Sequence, residues 1–277
     1  MSLAWGERTH VMGVINITPD SFSDGGQFDR PERALAQARR LVAQGVEILD
    51  LGAQSTRPGA EDVGSDAELA RLLPALRLIR EAFAGAENPP LISVDTFRAP
   101  VAEAALAAGA DWINDVSGGR RDPAILPLVA AAGCPYVLMH SRGDSQSMDG
   151  LTDYGAAGVT QGVLTELQQA SERALAAGLR REQLIWDPGL GFAKTTEQNI
   201  ALLRGLPQLR AEGIPLLVGP SRKRFIGAVL NQPRPKARLW GTAAVVAQCV
   251  SAGVDVVRVH DGGPIVQVAR MADALWR

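Results

Sequence analysis

Eight short runs of β-branched and bulky apolar residues recur along the 277-residue chain, each followed by a longer Ala-, Leu- and Arg-rich run. The short runs span residues 10–18, 46–53, 90–96, 112–118, 135–140, 184–189, 215–221 and 256–261. Their centres (VMGVINI, VEILDL, LISVD, WINDV, YVLMH, LIWD, PLLVG, VVRVH) are close to continuously apolar. Strands of that kind have both faces covered, as in a parallel sheet under helices. The intervening runs predict helices over 31–44, 66–84, 99–108, 123–132, 156–177, 195–204, 222–230, 236–252 and 264–276. In 66–84, Leu69, Leu72, Leu73, Leu76, Ile79 and Phe83 recur at steps of three and four and form one apolar stripe. Ser65-Asp66-Ala67-Glu68 reads as a capping box at its start. Pro74 lacks a donor and is expected to kink the helix. Gly45, Gly109, Gly133, Gly178, Gly213 and Gly253 stand where helices should end, positions that favour positive φ.

This alternation predicts an α/β fold, a single (β/α)8 TIM barrel occupying residues 1–277 as one domain. A doubly wound sheet is the alternative. Composition narrows the partners. Lys plus Arg number 28 and Asp plus Glu 30, for a net charge of −2, so no basic excess offers itself to nucleic acid or an anionic membrane. The most apolar stretch, 241–257, is interrupted by Gln248, Ser251 and Asp255, short of the roughly 18 apolar residues a spanning helix needs. Residues 1–10 carry no apolar signal-like run, and the expectation is a cytoplasmic protein. Cys134 and Cys249, far from any Cys/His cluster, are expected to be buried thiols in a reducing compartment.

A barrel of this type builds its active site at the C-terminal ends of its strands. Polar residues gather there: Asn16, Asp50, Ser93, Asp95, Asn114, Asp115, His140, Asp187, Ser221, and the pair Arg258 and His260 on one strand face. Two loops add hydroxyls, glycines and arginine suited to phosphate: NITPDSFSDGG (16–26) and STRPGA (55–60). The stretch from Gly189 to Thr195 looks like a P-loop, but Ala193 precedes Lys194 and the glycine spacing is wrong. Trp112, Trp186 and Trp240 are expected to pack, His10 to sit at the surface, and His140 and Lys194 to be structural or solvated.

The blocks MGVINITPDSFSDGG (12–26), STRPGA (55–60), SVDTF (93–97), INDVSGG (113–119), DPGLGF (187–192), GPSRK (219–223) and RVHD (258–261) make the chain resemble the dihydropteroate synthase family, pterin-binding barrels of folate biosynthesis inhibited by sulfonamides. The resemblance runs from about residue 10 to the C-terminus. It implies joining 6-hydroxymethyl-7,8-dihydropterin diphosphate to 4-aminobenzoate, giving 7,8-dihydropteroate and pyrophosphate. Carried over, it implies that Asp95, Asn114, Asp187 and Lys223 hold the pterin. Asn16, Arg57, Arg258 and His260 contact the diphosphate, and Asn16 also binds Mg2+. Thr56, Pro58, Phe192 and Ser221 surround 4-aminobenzoate. Asp95, Lys223, Arg258 and His260 carry the catalysis, by a dissociative, SN1-like substitution. Asp50 stands at the family's strand-2 aspartate. A homodimer is implied, with the apolar Val245, Val246 and Val250 run as a candidate surface.

The chain departs from the family pattern in two places. Ala53-Gln54 stands where Gly-Glu is usual, so hydrogen bonding is kept and a charge lost. Ser-Arg-Gly-Asp-Ser follows His140 where Gly-Thr-Pro is frequent. The competing readings are a catalytically silent pterin-binding paralogue, favoured mildly by Gln54, and a pterin-dependent methyltransferase, disfavoured by the intact phosphate loops. Both loops are expected to be mobile without substrate.

Overall fold

The computed structural model describes residues 3–18, 30–55 and 62–277. Expectations for Thr56, Arg57 and Pro58, and for the order of the two phosphate-handling loops, lie outside the described residues. The eight strands are β1 His10–Asn16, β2 Ile48–Gly52, β3 Leu91–Asp95, β4 Trp112–Asp115, β5 Tyr136–Met139, β6 Leu184–Asp187, β7 Leu217–Val218 and β8 Val256–Val259. They form one parallel sheet in the order β6-β5-β4-β3-β2-β1-β8-β7. The bridge Trp186–Leu216 joins its two ends, making the sheet a (β/α)8 barrel. Every strand lies within its expected run. The ladder stops early at the C-terminal ends, where the polar residues turn into loops.

The helices are α1 Arg30–Ala43, α2 Gly64–Ala82, α3 Ala99–Ala107, α4 Ile125–Ala132, α5 Gly158–Ala176, α6 Thr196–Arg204, α7 Leu206–Arg210, α8 Arg224–Val229, α9 Leu239–Ser251 and α10 Gly262–Trp276. The short α7 was not expected, because five residues carry no helical period. The six helix-end glycines adopt φ from 70° to 101°.

Strand periodicity sorts the core into two parts. Outward residues such as Val11, Leu49, Ile92 and Leu138 pack with the helices in one large cluster. Inward, each strand gives one residue to a barrel floor: Met12, Ile48, Leu91, Trp112, Val137, Ile185, Leu217 and Val256. Leu3 and Trp5 pack beneath that floor. The Trp5 ring lies 6.1 Å from Trp112 and edge-on to His10 at 6.2 Å.

Several local expectations are corrected. α2 starts at Gly64 behind Val63, with no side-chain cap. Glu68, instead of folding back on Ser65, is buried and paired with Arg98. His10 is buried, its Nδ1 2.9 Å from Glu47 Oε2, because Trp5 covers it. Cys249 is buried but Cys134 only half so. Trp112 and Trp186 pack, whereas Trp240 is 78% exposed. Val246 and Val250 are buried in the core, and Val245 packs against it, so that run turns inward rather than outward.

Candidate active site

Two residues beyond the apolar floor the lumen changes character. The inward positions there are Val14, Asp50, Ser93, Asn114, Met139, Asp187, Gly219 and Arg258. Two further on come Asn16, Gly52, Asp95, Val116, Ser141, Gly189, Ser221 and His260. The same alternation that fills the floor with apolar side chains therefore lines the mouth with carboxylates, amides and cations.

Asp50 is the hub. It accepts from Ser93 Oγ at 2.6 Å, from Asn114 Nδ2 at 3.3 Å and from Arg258 Nε at 2.6 Å. Arg258 Nη2 donates to Asp95 Oδ2 at 2.8 Å. Burial works against the Arg258 charge, but Asp50 and Asp95 outweigh it and hold the guanidinium above its ordinary pKa. Asp95 is buried, and its Oδ1 has no hydrogen-bond partner among the described residues. Burial pushes Asp95 up to about 7; Arg258 opposes the rise and Asp50 adds to it. Burial also raises Asp187, whose Oδ1 accepts from Gly189 N at 2.7 Å. Burial pulls Lys223 down to about 8, against the attraction of Asp187.

The Lys223 ammonium lies 4.5 Å from the centroid of the Phe192 ring, a cation–π contact. The backbone that presents Lys223 is unusual. Arg222 takes φ 59°, and its guanidinium grips Asp261 at 3.0 and 2.6 Å. Arg238 donates to the Arg222 carbonyl at 2.9 Å. A turn held this way flanks Arg222 with Ser221 and Lys223. Ser221 Oγ sits 2.9 Å from His260 Nδ1 and accepts from His260 N at 3.1 Å. Asn16 is half-buried where β1 ends.

Asp95, Asn114, Asp187, Lys223, Phe192, Ser221, Arg258, His260 and Asn16 thus all belong to strand ends or the turns that follow them, around one mouth. Arg258 faces two carboxylates, and Ser221 and His260, assigned to different substrates, are bonded to each other. Asp115, also prominent in the sequence, is turned to structure: it accepts from Ser117 N at 2.7 Å, Gly119 N at 2.8 Å and Tyr136 Oη at 2.6 Å. Gln54 Oε1 accepts from Val63 N at 3.0 Å, and its Nε2 donates to the Ser55 carbonyl at 2.8 Å. Its neutral amide therefore ties the start of the strand-2 loop to its end. A cavity of about 210 Å³ opens beside Phe192 and Gln54, toward Ser117, Arg121, Ser141 and Arg142.

Sequence reasoning missed one cluster. Lys194 Nζ lies 3.0 Å from His140 Nδ1, and His140 Nε2 lies 3.0 Å from Glu166 Oε2. Arg142 Nε donates to Glu166 Oε1 at 3.0 Å. These residues come from separate segments, so no spacing in the sequence announces them.

Residues 12–260 match the family described as pterin binding enzyme. A dihydropteroate synthase of Synechocystis is 50% identical over 277 residues, covering 99% of this chain and 92% of its own length. The Yersinia pestis dihydropteroate synthase solved with a sulfonamide drug superposes with a TM-score of 0.91 at 35% identity, over 99% of this chain and 96% of that one. The Xanthomonas albilineans dihydropteroate synthase solved with 7,8-dihydropteroate gives 0.84 at 36% identity, over 98% and 95%.

Proposed function

The chain belongs to the pterin-binding enzyme family, and from that premise we infer that it is a dihydropteroate synthase. It condenses 6-hydroxymethyl-7,8-dihydropterin diphosphate with 4-aminobenzoate to give 7,8-dihydropteroate and pyrophosphate. The observation that carries the residue-level reading is the buried, unpartnered Asp95 Oδ1 in a lumen shared with Asn114 and Asp187. A pterin edge presents adjacent ring and exocyclic N–H donors. Carboxylates accept such donors, and an amide both donates and accepts. Asp95, Asn114, Asp187 and Lys223 hold the pterin in this reading.

An aryl amine is a weak neutral nucleophile, and the costly event is departure of pyrophosphate. The bond between the methylene carbon and the bridging oxygen breaks, and its electron pair leaves with pyrophosphate. The amine lone pair then forms the new C–N bond, and the resulting ammonium gives its surplus proton to water or pyrophosphate. Arg57, Arg258 and His260 stabilise the departing anion, and Asp95 and Asp187 the cation left behind. Lys223 adds its charge beside Phe192. Thr56, Pro58, Phe192 and Ser221 enclose 4-aminobenzoate. No cluster of three or more His, Cys, Asp or Glu side chains suited to a metal occurs among the described residues. Asn16, half-buried at the end of β1, would offer the single amide oxygen that a Mg2+ ion held mainly by substrate phosphate and water requires. When bound, the ion neutralises charge on the leaving group.

The whole chain acts as one barrel domain in this reading, in the cytoplasm. No described helix is long and apolar enough to cross a membrane. Exposed Val229, Leu230 and Trp240 support a homodimer. Sedimentation of Trp240→Glu checks it, with a shift to monomer expected. The Gln54 clasp gives this departure from the family pattern a structural use, and turnover measurements decide between the synthase and a silent paralogue.

The deciding experiment measures pyrophosphate release from the pterin diphosphate with Mg2+, with and without 4-aminobenzoate. Amine-dependent release, matched by dihydropteroate, is expected; pterin binding without turnover would overturn the catalytic reading. Positional-isotope scrambling of the bridging oxygen without amine is the mark of the dissociative path.

A further inference from the structure

Lys194 sits one residue past the turn that carries Phe192, and among the lumen positions described above it bonds only to the Gly189 backbone. Its half-buried ammonium faces three acceptors: the Gly189 carbonyl at 3.0 Å, the Phe192 carbonyl at 2.9 Å and His140 Nδ1 at 3.0 Å. Three N–H donors meet three acceptors, so the protonated amine is fully satisfied and a neutral one would leave an acceptor short. The tautomer follows. Burial pulls His140 down to about 4 and keeps it neutral; Nδ1 accepts from Lys194, and Nε2–H donates to the Glu166 carboxylate. Burial also pulls Lys194 down to about 7, against Asp187 and Glu166, with Lys223 and Arg142 adding to the fall. A charge is thus held in an unfavourable place by its geometry.

What that geometry fixes is the turn 189–193. The turn is also anchored at Gly191, whose N–H donates to Asn199 Oδ1 at 2.7 Å, and at Ala193, whose carbonyl accepts from Tyr154 Oη at 3.1 Å; Lys194 is the side chain that reaches the Phe192 carbonyl. Gly189 has φ 68°, and a Cβ there would lie 1.9 Å from the His140 carbonyl oxygen. Ala193 takes φ 50°. Gly189 stays tied to Asp187 through its own N–H. Phe192 has one other described hydrogen bond, from its N–H to the Gly189 carbonyl at 3.2 Å.

We propose that Lys194 is a positioning residue for 4-aminobenzoate: it joins the Gly189 and Phe192 carbonyls to His140 and so fixes the Phe192 ring against Lys223. The proposal rests on the reading of Phe192 given under Proposed function. It separates the two substrates. Asp95, Asn114 and Asp187 stand on strands, whereas the Phe192 ring depends on the 189–193 turn and reaches the pterin group only through its contact with Lys223.

Lys194→Met keeps the aliphatic stem and removes the donors. The expected result is a rise of about ten-fold or more in KM for 4-aminobenzoate, with KM for the pterin diphosphate changed less than two-fold. His140→Ala should reproduce that split, and His140→Asn, which returns an acceptor at the Nδ1 position, should restore it. Equal rises in both KM values, a loss in kcat alone that tracks a lower Tm, or failure of His140→Asn to restore would overturn the proposal. Hydrogen exchange at the Phe192 amide reads the same loosening without turnover. If the unmodified protein forms no dihydropteroate, the functional reading fails; faster exchange in Lys194→Met then still supports the positioning role, and unchanged exchange overturns it.

Discussion

A carboxylate oxygen left without a partner in a protein interior costs about 1–3 kcal/mol. Asp95 bears that cost through its Oδ1 while its other oxygen holds Arg258. Such an atom is most economical when a ligand donor completes it. Asp95→Asn keeps the shape, removes a charge that burial disfavours and weakens the acceptor. Calorimetry should show pterin affinity falling about 10- to 100-fold, the loss of a charge-assisted hydrogen bond. Thermal unfolding should shift little, because Arg258 keeps Asp50. A large fall in Tm with unchanged affinity would assign Asp95 to the scaffold.

Strands and turns differ in how much they announce themselves. All eight strands could be read from the sequence, because a buried parallel strand is a continuous apolar run and its polar tip is where the run breaks. The placement of Asp95, Asn114, Asp187 and Arg258 on strands facing the mouth was legible for the same reason. Partners were not. Nothing along the chain says that Glu68 abandons its cap for Arg98, that Trp5 covers His10, or that Lys194 reaches His140; each depends on a contact between distant segments. The β5–α5 connection carries a pH consequence. His140, held near 4 against an ordinary 6.5, binds fewer protons folded than unfolded between those values. Its contribution is fully present above 6.5 and is lost as pH falls toward 4, a change of order 3 kcal/mol. Asp95, pushed up, acts in the opposite sense over part of that range. The quantity to read is therefore the difference in urea stability between the unmodified protein and His140→Asn, which should shrink by that amount on going from pH 6.5 to 4. A difference independent of pH would refute the buried neutral imidazole.

On the scale of the whole molecule, the two ends of the barrel do separate jobs. The mouth gathers polar chemistry, and the floor is closed from below by Leu3 and Trp5. Trp5→Ala should lower unfolding free energy by about 2 kcal/mol through lost packing on Trp112 and His10. It should leave KM and kcat within two-fold at the far end. Parallel loss of activity in correctly folded protein would show that floor and mouth are coupled. The wall between them is not uniform. β1 and β2 pair over five residues, while β7 has two, and β6 meets it through the one bridge at Trp186 and Leu216. The barrel is a hoop whose clasp is its narrowest joint. The Asp187–Phe192 turn leaves one side of that clasp and the Ser221–Lys223 turn leaves the other. The sheet therefore has its fewest ladder bonds at the joint from which the turns carrying Phe192 and Lys223 both depart, and side-chain ties rather than strand pairing must hold those two residues face to face.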